Sequence, residues 1–153
     1  MKIEYLADHM VFAEDVAGKI YREFIENIRC GVSYEQVLSS IKNCNRTELP
    51  IRLIALADNK CAGTVSIVKN DLKCRGYTPW LAALYVDVPY RGNKIGEQLV
   101  ERVKCIVREL GCDELYLRTE HTGDYYRKRG WQFVESCTDE FNLDTEVFKF
   151  TLV

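Results

Sequence analysis

The feature that most constrains this chain lies between Leu81 and Thr119, where the hydrophobic period changes twice in a short span. WLAALYVDV, Trp80 to Val88, is nearly all apolar, as expected of a central strand covered on both faces. After a short loop, Ile95, Leu99, Val103, Ile106, Val107 and Leu110 recur at helical spacing and predict a helix that buries them. That helix stops at Gly111, a residue suited to the position just past a helix end. ELYLRT, Glu114 to Thr119, then reads as a strand again. Strand, helix and strand in that order make a βαβ unit, so the chain must contain a sheet covered by helices.

The flanking segments extend the same sheet. KIEYLA opens as a short strand, and Val11, Phe12, Val16, Ile20, Phe24 and Ile28 recur mostly at four-residue steps, predicting a helix with that inner face. Ser33 with Gln36 has the spacing of a capping box, opening a second helix that buries Val37, Leu38 and Ile41. IRLIALA and CAGTVSIVK are β-rich runs joined by the polar turn Asp58-Asn59-Lys60, and read as a hairpin. HTGDYYRKR is a short helix or turn ended by Gly130, and WQFVES and EVFKFTLV are two last strands. The order β-α-α-β-β-β-α-β-α-β-β gives an α/β or α+β mixed sheet of six to seven strands with about four helices. No repeat, low-complexity tract or proline-rich linker divides it, so a single domain spanning residues 1–153 is expected.

Composition narrows the function classes. The 153 residues are 47% hydrophobic and 29% charged with a formal net charge of −2, and the longest basic run is Arg127-Lys128-Arg129. Nucleic-acid and membrane-surface binding both call for larger Lys/Arg clusters, and neither is expected. Seven cysteines, an odd number with no CxxC spacing, accompany only two histidines, His9 and His121. Neither a metal site nor a disulfide framework is favoured, and small buried thiols in a reducing cytoplasm fit better. The opening MKIEYLADHM is too charged for a signal peptide, and no apolar run reaches the length of a bilayer span. A cytoplasmic location is the expectation.

The loop Arg91-Gly92-Asn93-Lys94-Ile95-Gly96 joins the central strand to the long helix. A helix N-terminus presents unpaired N–H groups and the positive end of the helix dipole, which attract phosphate. Gly92 and Gly96 allow close approach of the backbone, while Arg91 and Lys94 add positive charge. By spacing alone, an ordinary turn with solvated cations explains the loop equally well. Neither a GxGxxG fingerprint nor a GxxxxGK[ST] phosphate loop is present.

VDVPYRGNKIGEQL, Val86 to Leu99, resembles the acyl-CoA loop of the GNAT superfamily of N-acetyltransferases, Arg/Gln-x-x-Gly-x-Gly/Ala after a strand. YRKRGW, Tyr126 to Trp131, resembles that superfamily's YxKxGF ending, and GTVSIV and TPWLAALYVD match the strands before the loop, in the family's order. The resemblance implies a mixed sheet splayed between its fourth and fifth strands, with the pantetheine arm of acetyl-CoA in the gap along the backbone of Leu84, Tyr85 and Val86. It places the pyrophosphate on the loop and first helical turn, Gly92, Asn93, Lys94, Ile95, Gly96 and Glu97, with Arg91 beside them. Thr119 falls where relatives often carry a cofactor-contacting asparagine. Lys94 stands on the family's first loop glycine, and is expected to keep right-handed backbone angles, because positive φ strains a non-glycine residue.

The implied reaction is acetyl transfer from acetyl-CoA to a primary amine, a small molecule or peptide, by direct attack in a ternary complex. The resemblance assigns the acid to Tyr126, a phenol that is a donor at neutral pH, with Tyr125 its nearest rival. A backbone N–H near Val86 would polarise the carbonyl. Asp71, Glu120 and His121 are candidates for the base, while Asp87 falls near the phosphate end. Asp139, Glu140, Asp144 and Glu146 in TDEFNLDTE form a solvated acidic loop or draw a cationic amine, and Tyr77 and Trp80 would wall the acceptor site or fill the core. The other reading is a non-catalytic acyl-CoA-binding module that senses the cofactor. Either way no metal is required, and a homodimer through the last strands is compatible with the pattern.

Overall fold

A computed structural model describes residues 1–29 and 31–153, so Cys30 lies outside the described residues. The chain forms β1 (Lys2–Tyr5), α1 (Ala13–Ile20), α2 (Tyr34–Lys42), β2 (Ile51–Ala57), β3 (Lys60–Val68), β4 (Trp80–Val86), α3 (Ile95–Glu109), β5 (Glu114–Thr119), α4 (Gly123–Arg127), β6 (Gln132–Thr138) and β7 (Asp144–Thr151). The seven strands make one sheet in the order β1-β2-β3-β4-β5-β7-β6. All neighbours are antiparallel except β4 and β5. The mixed α/β sheet and its helices match the expectation.

Alternation along the strands sorts the side chains into two cores. Ile51, Leu53, Val65, Leu81, Leu115 and Leu117 pack under α3, whose Leu99, Val103 and Val107 are fully buried. On the other face Ile54 and Cys61 pack under α1 and α2 with Val16, Ile20, Val37 and Ile41. The hairpin β2–β3 turns on Asp58 and Asn59, both at positive φ, the pair of angles that matches strand twist in a two-residue turn. Both halves of the Ser33–Gln36 capping box form, at 3.1 and 2.8 Å.

Three expectations about burial are corrected. α1 is bracketed by a 3-10 turn at Met10–Phe12 and a π turn at Tyr21–Ile25. Those turns change the residues per turn, so the helical stripe loses phase: Val11 is 86% and Ile28 46% exposed, while Ala13 and Ala17 are buried. Leu110 caps α3 at the surface and is 39% exposed, because Gly111 at φ +86 turns the chain away one residue later. The apolar β4 is buried only at Trp80 and Leu81, with Ala82 to Val86 half-buried.

That exposure follows from the splay. β4 and β5 share a single paired position, Trp80 with Tyr116, beside the Tyr116 N–H to Pro79 carbonyl bond of 3.0 Å. Beyond it β4 carries a bulge: Thr64 faces Tyr85 while Ser66 faces Ala82, so one extra residue is taken up around Ala83, at φ +53. A bulge bends its strand and breaks the ladder, and here it leaves a gap between the carboxyl ends of β4 and β5.

Candidate active site

The loop after β4 makes a 3-10 turn at Val88–Tyr90 and enters α3 through two residues at positive φ, Gly92 (+84°) and Lys94 (+62°). The expectation of right-handed angles at Lys94 is therefore wrong. Ile95 must reverse into the core, where it is 5% exposed, and the left-handed residue before it makes that reversal. Lysine's ammonium has no acceptor to offer, so α3 starts without a side-chain cap. Its first N–H groups carry the helix's positive end outward, beside the gap. Left-handed residues among right-handed ones also turn successive N–H groups toward one side, the geometry of backbone anion cradles. Gly96 touches Val86, a Cβ there coming to 3.8 Å from Val86 Cγ2, so the loop and the strand end form one wall.

The remaining loop side chains brace this wall. Arg91 Nε donates to the Val86 carbonyl at 2.9 Å, and its guanidinium lies 5.5 Å from the centre of the Tyr85 ring. Asn93 donates to the Tyr90 carbonyl at 3.1 Å. Asp87, the residue after β4, is held in an ion pair: its carboxylate is 3.1 Å from Lys19, which also holds Asp15 at 2.8 Å. Lys19 is 7% exposed and ties α1 to the end of β4; nothing in the spacing of α1 marks it for that role.

Tyr126 and Glu97 meet in space. Together with Val100, Glu101, Lys104, Tyr125, Arg129 and Trp131 they line a cavity of about 290 Å³ between α3 and α4. Tyr126 packs edge-on against Trp131 at 5.8 Å and beside Phe148 at 6.4 Å, and burial pushes its phenol up to about 12. Its hydroxyl makes no hydrogen bond among the described residues. Tyr125 is 37% exposed beneath the Arg129 guanidinium, 3.6 Å from its ring centre. Arg129 also pairs with Glu97 at 3.3 Å, joining α4 to the first turn of α3.

Thr119 is 8% exposed and its hydroxyl is already engaged. It lies 2.6 Å from the Thr122 hydroxyl and accepts the Thr122 N–H at 3.1 Å, shaping the turn into α4.

The opposite face of the gap is ionic. Arg118 alternates with Leu117 and Thr119 and so points toward the α1 side, where its Nη2 meets Asp139 at 3.1 Å and its Nε lies 3.7 Å from Asp71. Asp139 is saturated: its other oxygen accepts the Phe141 and Leu143 N–H groups, both at 2.9 Å. It is thus a structural residue and not an acceptor-drawing one. Glu120, Asp144 and Glu146 line a larger polar cavity of about 540 Å³ with Ser136, Thr138 and Thr145. His121 is exposed. Trp80 is fully buried, its indole N–H donating to the Tyr77 carbonyl, and Tyr77 stacks on Tyr116 at 4.9 Å; both belong to the core under the β3–β4 loop. Among the described residues the cysteines are free and no cluster of metal-ligating side chains occurs. No described helix is long and apolar enough to cross a membrane.

A mixed sheet splayed between β4 and β5, with an uncapped helix at the mouth of the gap, is the architecture of one known family. The sequence pattern of the Acetyltransferase (GNAT) family matches residues 19–131, and the chain belongs to that family. It is 34% identical over 80 residues to an amino-acid acetyltransferase of Azotobacter vinelandii, and 38% identical over 69 residues to the N-alpha-acetyltransferase MAK3 of Arabidopsis thaliana. These alignments cover 46% and 44% of this chain but only 18% and 35% of the relatives' own lengths. An aminoglycoside 6'-N-acetyltransferase complexed with coenzyme A superposes with a TM-score of 0.78, covering 100% of this chain and 98% of its own, at 18% identity.

Proposed function

We propose that the chain transfers an acetyl group from acetyl-CoA to a primary amine within a ternary complex. The observation that carries this reading is the uncapped start of α3, set at the mouth of the β4–β5 gap by left-handed Lys94. Those free donors suit a diphosphate, and the gap offers unpaired β4 edge for an extended arm. The donor supplies a thioester carbonyl for attack and a thiolate as leaving group. Gly92 to Glu97 bind its phosphates, with Arg91 and Lys94 adding charge. Leu84, Tyr85 and Val86 guide the arm along β4, and Thr119 closes the β5 side of the gap. A strand N–H near Val86 polarises the carbonyl.

Tyr126 donates a proton to the departing sulfur. Its raised pKa keeps the phenol protonated at every working pH, and the same apolar surroundings make a thiolate more basic, so donor and acceptor shift together. The carboxylates of Glu120, Asp144 and Glu146 around the larger cavity favour a cationic acceptor.

An acetyl-CoA turnover screen against small amines and peptides tests the function. Tyr126→Phe should lower kcat by about 10²-fold or more with coenzyme A affinity nearly unchanged. Unchanged turnover removes Tyr126 from the mechanism, and no turnover with any amine in the wild type favours a cofactor-sensing module.

A further inference from the structure

We propose that Asp71, in the loop between β3 and β4, is the base that takes the proton from the attacking amine. This rests on the acetyl-transfer reading above. In that reading α3, α4 and Tyr126 hold the donor on one face of the sheet, so an acyl group reaching through the β4–β5 gap emerges on the other face. Arg118 stands on that face, one residue before the end of β5. The β3–β4 loop folds back across β5 to reach it, pinned by Tyr77 stacking on Tyr116 and by the Arg75–Glu135 pair at 2.8 Å. Asp71 is therefore held beside the exit of the gap, at 3.7 Å from Arg118 Nε.

The two carboxylates on Arg118 are unequal. Asp139 has no exposed side-chain surface, and although burial works against its charge, the Leu143 and Phe141 N–H groups and Arg118 outweigh it and hold its pKa down. Asp71 keeps 34% of its side chain exposed and accepts no hydrogen bond among the described residues, so its oxygens are free for a new partner. Crowding by surrounding protein atoms raises it to about 6, against the pull of Arg118 and Arg29 and with the push of Glu140 and Glu120. Two carboxylates on one guanidinium, driven apart by their surroundings, divide into a fixed anion and a proton acceptor. Glu120, which lines the 540 Å³ cavity, is also near enough to Asp71 for its charge to act on that carboxyl.

The step balances. The acceptor, gathered as an ammonium, first releases one proton to solvent; the neutral amine nitrogen then forms the bond to the acyl carbon as a second proton passes to an Asp71 oxygen. The carbon–sulfur bond then breaks, and the sulfur takes the proton of the Tyr126 phenol.

The test is the pH dependence of kcat/KM for acetyl-CoA turnover with an amine taken from the screen. The wild type should lose rate below a pH near 6. Asp71→Asn should lower kcat by about 10²-fold and abolish that limb, while coenzyme A still raises the unfolding temperature as in the wild type. Asp71→Glu, which keeps the charge on Arg118, should recover part of the rate and move the limb. Wild-type rate or an unchanged limb in Asp71→Asn overturns the role of Asp71 alone. So does loss of coenzyme A stabilisation in both variants, which marks a structural residue. No turnover in the wild type overturns the acetyl-transfer reading first and this role with it.

Discussion

Replacing Lys94 by glycine should make the free protein more stable and its grip on coenzyme A weaker. Lys94 sits at φ +62° and ψ +22°, where a side chain crowds the backbone and costs about 1–2 kcal/mol. Glycine removes that strain but adds about 0.5–1 kcal/mol of unfolded-chain freedom. It also takes an exposed cation away from the positive end of α3, a further gain of about 0.3–1 kcal/mol. The balance favours the glycine variant by about 1 kcal/mol, a rise of about 2–4 °C in unfolding temperature for a chain of this size. Ligand binding moves the opposite way and shrinks that advantage. An exposed charge contact to phosphate contributes at most about 1 kcal/mol, so affinity for coenzyme A should fall by up to about five-fold. Thermal unfolding with and without coenzyme A reads both effects. Lys94→Ala separates them, since it loses the charge but keeps the strained backbone. A glycine variant no more stable than the alanine variant refutes the strain argument.

The other predictions bear on the gap and on the loop that covers β5. Gly63→Ala would place a Cβ 2.9 Å from the Tyr85 carbonyl oxygen, and because that neighbour is backbone, β4 must shift. The expected result is a loss of about 1–3 kcal/mol in urea unfolding and a raised KM for acetyl-CoA. Glu135, gripped by Arg75 and by the Tyr77 hydroxyl, is held near 2 against an ordinary 4.5. A depressed folded pKa means stability present above about 4.5 and lost as pH falls toward about 2. Urea midpoints should decline through that window in the wild type, and Glu135→Gln should flatten the decline.

What was legible in the sequence follows from the range of the interactions involved. The order of strands and helices could be read because each depends on local periodicity, and the βαβ unit from Leu81 to Thr119 left few topologies open. Local signals failed where neighbouring turns changed the register. The 3-10 and π turns around α1 dephased a stripe that assumed uniform winding, so Val11 was expected inside and lies outside. Lys94 failed for a related reason. Residue type argues against a left-handed angle, but the need to bury Ile95 at once overrides it.

The candidate site divides in the same way. Its proposed donor side is continuous in sequence from Leu84 to Glu97, which is why a short motif could point to it. Its partner Tyr126 was separable from Tyr125 only through the family resemblance. In the fold the distinction is physical: Tyr125 lies out under Arg129, and Tyr126 is turned in against Trp131 and Phe148. The proposed acceptor side has no such continuity. It is assembled from Arg29 after α1, Asp71 between strands, Arg118 on β5 and the loop around Asp139, brought together only when the β3–β4 loop folds across β5. No spacing rule relates those positions. A chain can therefore keep a readable donor site while its choice of acceptor and base rests on long-range ion pairs, which are free to vary without touching the motif.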